Sequence, residues 1–133
     1  MLRNLIAVVL GIIGGGLAVG LIQQISHKLY GSPQEISLED TEGLTAFIQS
    51  LPTEAFLFVI FSHALGALLA GLIASKLSSN NHYLLGIIAA FAIFLATLVT
   101  VFSIPGQPEW VIYADPFTTV TFGWLGAKIG SRF

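Results

Sequence analysis

The sequence predicts an all-α membrane protein: four transmembrane helices in an antiparallel bundle, with a short amphipathic helix outside it. Three observations carry that expectation. Of the 133 residues, 55% are hydrophobic and only 9% are charged, where a soluble domain has about 25% charged residues. So few charges cannot coat a soluble surface of this size, and the mean hydropathy is +0.88. The apolar residues are also gathered into four runs, each near the ~20 residues that cross a bilayer at ~1.5 Å per residue. The chain reads as a single domain over residues 1–133.

The first run is Leu5–Ile25 (LIAVVLGIIGGGLAVGLIQQI). Its apolar stretch exceeds the ~7–15 residues of a signal-peptide core, and no small-x-small cleavage site follows, so a retained helix is expected. The second run is Ala55–Ser75, the third Tyr83–Ile104 and the fourth, the least apolar, Trp110–Ile129. Between the first two lies a long loop opening with Gly31-Ser32-Pro33. Within it Leu44, Phe47, Ile48 and Leu51 follow the i, i+3, i+4, i+7 spacing of one helical face. Asp40 or Thr41 can cap that helix, Glu42 suits its first turn, and Pro52 ends it, which gives an amphipathic helix over residues 41–51. The short Ser78-Ser79-Asn80-Asn81 and Pro105-Gly106-Gln107-Pro108 connections make runs two, three and four successive neighbours.

Charge sets the expected orientation. With four spans, Arg3, Lys76, Lys128 and Arg132 fall on one side and only Lys28 on the other. Lys and Arg resist translocation, so that side, with both termini, is expected in the cytoplasm. Glu35, Glu39, Asp40, Glu42, Glu54 and Glu109 all fall outside. The expected location is a bacterial cytoplasmic (inner) membrane, crossed several times.

In lipid, helices associate through close packing of small residues. Gly66, Ala67, Ala70, Gly71 and Ala74 share one face of the second span, and His63 lies on it; Leu57, Phe61, Leu65, Leu68, Leu69 and Leu72 share the opposite face. The first span has two small faces. Gly11 and Gly15 lie with Ala7, Gly14 and Ala18 on one, and Gly16 and Gly20 lie on the other, free for a second copy or another protein. Gly126 and Gly130, with Gly123, allow close approach along the fourth span.

Ionisable groups inside a span are functional candidates by default. His63 and Asp115 are the two here. Neutral imidazole can bond across helices, bind a metal or relay a proton. Asp115-Pro116 has the form of a helix start, Asp as N-cap and Pro at the first helical position, which would begin the last helix at Pro116. The alternative is an Asp115–His63 pair, since the two depths differ by only about 5–7 Å. Ser62, Thr97, Thr100 and Thr118 are the accompanying polar candidates; hydroxyls at such sites either line a polar path or bond carbonyls of their own helix. No phosphate-binding loop, H-E-x-x-H or G-x-S-x-G motif is present, so no catalytic residue, metal ligand set or cofactor is assigned. The net charge of −2 gives no footprint for nucleic acid. With no Cys, disulfides and thiolate sites are excluded.

The stretches MLRNLIAVVLGIIGGG, SHALGALLAGLIASKL, FSIPGQPEW and FGWLGAKIG resemble those of small, uncharacterised bacterial four-span membrane proteins. The resemblance implies the four-helix topology and a shared Ser62-His63-Ala64-Leu65-Gly66 motif, and implies no activity. Small multidrug exporters match in size but carry a Glu in the first span, which is absent here. Four-span fluoride channels carry a polar break in the third span that FAIFLATLVTVF lacks.

The leading functional expectation is a non-catalytic accessory or scaffold component acting by helix–helix association. Its partners would be the lipid bilayer and a homo-oligomer or larger membrane complex. The alternative is a small oligomeric transporter or channel using His63 and Asp115; a membrane enzyme or metal-binding protein is the weaker third.

Overall fold

The computed structural model describes residues 1–32, 36–37 and 39–132. Among these it contains five α-helices and no strand: α1 (Leu2–Tyr30), α2 (Thr41–Ser50), α3 (Thr53–Leu77), α4 (His82–Ser103) and α5 (Glu109–Arg132). Three of the five, α1, α3 and α4, are long and apolar enough to cross a membrane. α5 has 24 residues, but Asp115, Thr118, Thr119, Thr121 and its cationic end dilute its apolar character. Each apolar run of the sequence lies within a helix, apart from Ile104, which caps α4. α1 overruns its predicted bounds at both ends to reach 29 residues. Pro33 of the expected turn and Glu35 lie outside the described residues.

α2 forms where the periodicity places it, ending at Ser50. Asp40 caps it by accepting from the Gly43 N–H at 2.9 Å, which satisfies one of the donors a helix start leaves open. Its apolar face is buried on protein: Ile48 packs with Phe56 of α3 and Val111 of α5. Pro52 then serves as the N-cap of α3.

One expectation is overturned. α5 does not begin at Pro116; it begins at Glu109, and Pro116 lies inside it. The Asp115 side chain caps nothing. It is buried and bonds His63 instead. A proline inside a helix forfeits one backbone bond, and here the tertiary contact of Asp115 outweighs the local signal of the dipeptide.

α3 is the central element and packs against α1, α4 and α5. The small face of α3 is the buried one: Gly66, Ala67, Ala70, Gly71 and Ala74 are all buried, while Leu57 and Phe61 are exposed and Leu65, Leu68, Leu69 and Leu72 half-buried. Contact is backbone to backbone. A Cβ on Gly11 of α1 would stand 2.6 Å from the Ala70 carbonyl oxygen, and one on Gly15 would strike that of Gly66. Gly126 and Gly130 of α5 meet the carbonyls of Leu68 and Leu72 in the same way. Only glycine permits this approach, as small-residue packing in lipid requires. Around the core the apolar side chains point outward, among them Leu17 and Leu21 on α1, Phe61 on α3, Val99 on α4 and Phe117 on α5.

The two ends of the assembly differ. At one, Arg3 Nε donates to the Leu77 carbonyl at 2.9 Å and the Asn4 carboxamide accepts from the Ser79 N–H at 2.9 Å. Arg3 and the α3–α4 connection therefore share this end, and Gly130 near Ser75 brings the end of α5 to it. At the other end lie Tyr30, edge-on to Phe58 with centroids 6.1 Å apart, together with α2 and the Gly106 turn against Thr45.

Candidate functional site

α3 and α5 bring His63 and Asp115 together. The small face of α3 lets α5 approach closely, and both residues lie in that interface, 3% and 1% exposed. His63 Nδ1 lies 2.9 Å from Asp115 Oδ1 and 2.8 Å from Oδ2. One ring N–H thus donates to both carboxylate oxygens. A buried carboxylate is costly unless paired and hydrogen-bonded; this contact supplies the hydrogen bond, and the counter-charge whenever the imidazole carries a second proton.

The other ring nitrogen faces α1. Gln23 Nε2 lies 3.4 Å from His63 Nε2 and 3.4 Å from Ser62 Oγ, at the long limit for hydrogen bonds. The Ser62 hydroxyl donates to the Val59 carbonyl at 2.7 Å. A carboxamide offers donors on one side and an acceptor on the other. With His63 neutral and Nδ1–H bound to Asp115, the Gln23 N–H meets the Nε2 lone pair. With a further proton on Nε2, Gln23 turned over would present its carbonyl. Gln23 can therefore bond Nε2 whether or not that atom carries a proton.

Gln23 also lines a cavity of about 310 Å³ at the α2 end. α2 contributes Leu44, Phe47 and Ile48 to the lining, α3 Phe56 and Val59, and the α4–α5 connection Gln107. His63 does not reach the cavity wall; Gln23 stands between them. Towards the Arg3 end the assembly is closed. Ala67, Ala70, Ala74, Ala89 and Ile93 form a packed core, and a Cβ on Gly71 would lie 2.8 Å from both the Gly123 oxygen and the Ala127 nitrogen.

The remaining polar candidates do not join the pair. Thr97 and Thr100 donate to the carbonyls of Ile93 and Ala96, both at 3.0 Å, and Thr118 to that of Ala114 at 2.7 Å. Each bonds its own helix, the common fate of hydroxyls there, and Thr119 does the same with the backbone oxygen of Asp115. Gly16 and Gly20 stay apart from the rest: a Cβ on either would meet nothing within 4 Å. No group of three metal-ligating side chains occurs among the described residues.

Two features escaped the sequence reading. Gln23 sits at the end of an apolar run, where a carboxamide reads as a span boundary; in the structure it follows Val19, which packs on Gly66, by a single helical turn. The second is a knot at the Arg3 end. Ser75 Oγ lies 2.9 Å from the His82 carbonyl and 3.0 Å from that of Ala127, while His82 Nδ1 lies 3.0 Å from Ser78 Oγ. It ties α3, α4 and α5 together. Comparison of the chain with protein-family models, with curated proteins and with solved structures finds no match.

Proposed function

We propose that this chain is a small oligomeric transporter of the bacterial cytoplasmic membrane, in which the His63–Asp115 pair holds an exchangeable proton beneath an outward-facing ligand cavity. The observation that carries this reading is the buried pair itself, with Nδ1 to Oδ2 at 2.8 Å, joined through Gln23 to the cavity. A scaffold has no need of two ionisable groups in its interior, where each is costly. In this reading α1, α3, α4 and α5 all cross the bilayer as an antiparallel bundle. The outward Trp110, Tyr113, Phe117, Val120 and Trp124 of α5 support its inclusion. Arg3, Lys76, Lys128 and Arg132 at one end support cytoplasmic termini. The closed Gly/Ala half supports taking the described conformation as the outward-open one, and transport in this reading requires a second in which α3 and α5 part.

The test is proton flux in proteoliposomes carrying an internal pH dye under an imposed gradient. Wild-type protein should exceed protein-free vesicles, and His63→Gln and Asp115→Asn should each lower the rate at least about tenfold. Wild-type flux equal to that of empty vesicles would discard the transport reading.

A second reading, an accessory component acting by helix–helix association, is favoured by one observation: Gly16 and Gly20 present an open small-residue face. Gly16→Leu with Gly20→Leu should then reduce the particle size in mild detergent. Unchanged size would remove that face as an interface.

A further inference from the structure

We propose that the cavity at the α2 end binds a neutral, largely apolar molecule through a hydroxyl group that donates to Gln107. The inference deepens the transporter reading by naming the ligand class. Three observations meet here. First, Gln107 lines the cavity, and although the residue is half-buried its Oε1 is buried with no hydrogen-bond partner among the described residues. A buried acceptor without a donor is costly, and a ligand O–H supplies one. Second, the described lining residues include no Lys, Arg, Asp or Glu, and His27 is the one imidazole among them, so a charged ligand would lose its hydration with no permanent counter-charge to replace it. Third, the walls are dominated by Leu44, Phe47, Ile48, Leu51, Phe56 and Val111, which suit an apolar body. The volume of about 310 Å³ equals that of about ten waters at ~30 Å³ each. That fits a chain alcohol of roughly ten carbons.

A reporter stands one ring away from the cavity, outside its lining and partly exposed. Trp110 stands edge-on to Phe56, with ring centroids 6.4 Å apart. The chain has two tryptophans, so Trp124→Phe leaves Trp110 as the sole emitter. Bromine quenches indole on close approach. The probes are 10-bromodecanol, 1-bromodecane and 10-bromodecanoate, compared in mild detergent at equal concentrations within the micelle. The alcohol should quench saturably, with a half-effect about fivefold below that of the alkane, the margin expected of one neutral hydrogen bond. The carboxylate should be weakest. Gln107→Leu, and separately the near-isosteric Gln107→Met, should bring alcohol and alkane together. Val59→Phe, which fills the cavity, should weaken both.

Displacement by unbrominated 1-decanol alone would assign a free alcohol; displacement also by 1-decanoylglycerol would assign a lipid hydroxyl. Equal quenching by alcohol and alkane in the Gln107 protein would overturn the proposal. So would quenching that Val59→Phe leaves unchanged, since the bromine would then act from the micelle. The assay reads equilibrium binding with no gradient. A chain that binds the alcohol but moves no protons therefore fails only as a transporter.

Discussion

The His63–Asp115 contact makes a quantitative prediction that separates an ion pair from an ordinary interhelical hydrogen bond. His63→Leu leaves a carboxylate, 1% exposed, without its partner. Breaking a buried pair from one side costs about 3–5 kcal/mol. Asp115→Leu leaves a neutral imidazole with one unsatisfied N–H, a loss of about 1–3 kcal/mol. The double variant strands neither group. Replacing a buried pair by apolar residues of similar volume is often neutral, or stabilising by about 1–4 kcal/mol. The coupling energy should therefore reach at least about 4 kcal/mol. A plain hydrogen bond between membrane helices averages only about 0.6 kcal/mol in such cycles, with a maximum near ~1.7 kcal/mol. The assay is reversible unfolding in mixed micelles with increasing dodecyl sulfate, followed by circular dichroism for all four proteins. A coupling below about 1.7 kcal/mol, or a double variant as unstable as the sum of the singles, would refute the ion-pair reasoning.

Other consequences are as direct. Gly11→Val should destabilise the fold by about 1–3 kcal/mol through overpacking, because its first added carbon stands 2.6 Å from a backbone oxygen that cannot rotate away; the same unfolding assay reads it. Pro116→Ala should raise stability by up to about 3 kcal/mol, since Pro116 lies inside α5; a loss would show that the helix begins there. Single cysteines at Ser79 and Thr41 should react with an impermeant thiol reagent from opposite sides of sealed vesicles, and same-side labelling would remove the four-span topology. The chain has no native Cys to interfere.

Much of the fold was legible because it is written in two periodicities. Runs of about 20 apolar residues mark helices that lipid must surround, and the small residues within them mark the faces that touch. Gly66, Ala70 and Ala74 align on one stripe of α3, and that stripe is the buried one. α2 was legible for the opposite reason. Its short apolar face is flanked by polar residues, and Asp40 and Pro52 punctuate its ends. The helix ends were less legible, since α1 runs on through His27 and Lys28 to Gly31, whose φ of 91° ends it. Polar residues there do not stop a helix whose backbone bonds are already satisfied.

The site was half legible, and the missing half has a physical cause. His63 and Asp115 stand out because charge is scarce in this chain, and their similar depth made a pair conceivable. Local sequence gave Asp115 a second meaning as the cap before Pro116, and a dipeptide cannot choose between them. The choice rests on α3, which offers an imidazole on a face small enough for α5 to approach. A cap bond at a membrane end competes with water, whereas the bond to His63 competes only with an unpaired carboxylate in the interior, so the second dominates. Gln23 was hidden for a related reason. Its contribution depends on the register between α1 and α3, which the Gly15–Gly66 backbone contact sets and no pattern within α1 encodes. The same register puts a reversible donor–acceptor beside Nε2 and opens its other side to the cavity. In the proposed transporter Gln23 would thus stand between the proton at Nε2 and the cavity in which Gln107 takes the ligand hydroxyl. Gln23→Leu should uncouple them while leaving the His63–Asp115 contact intact.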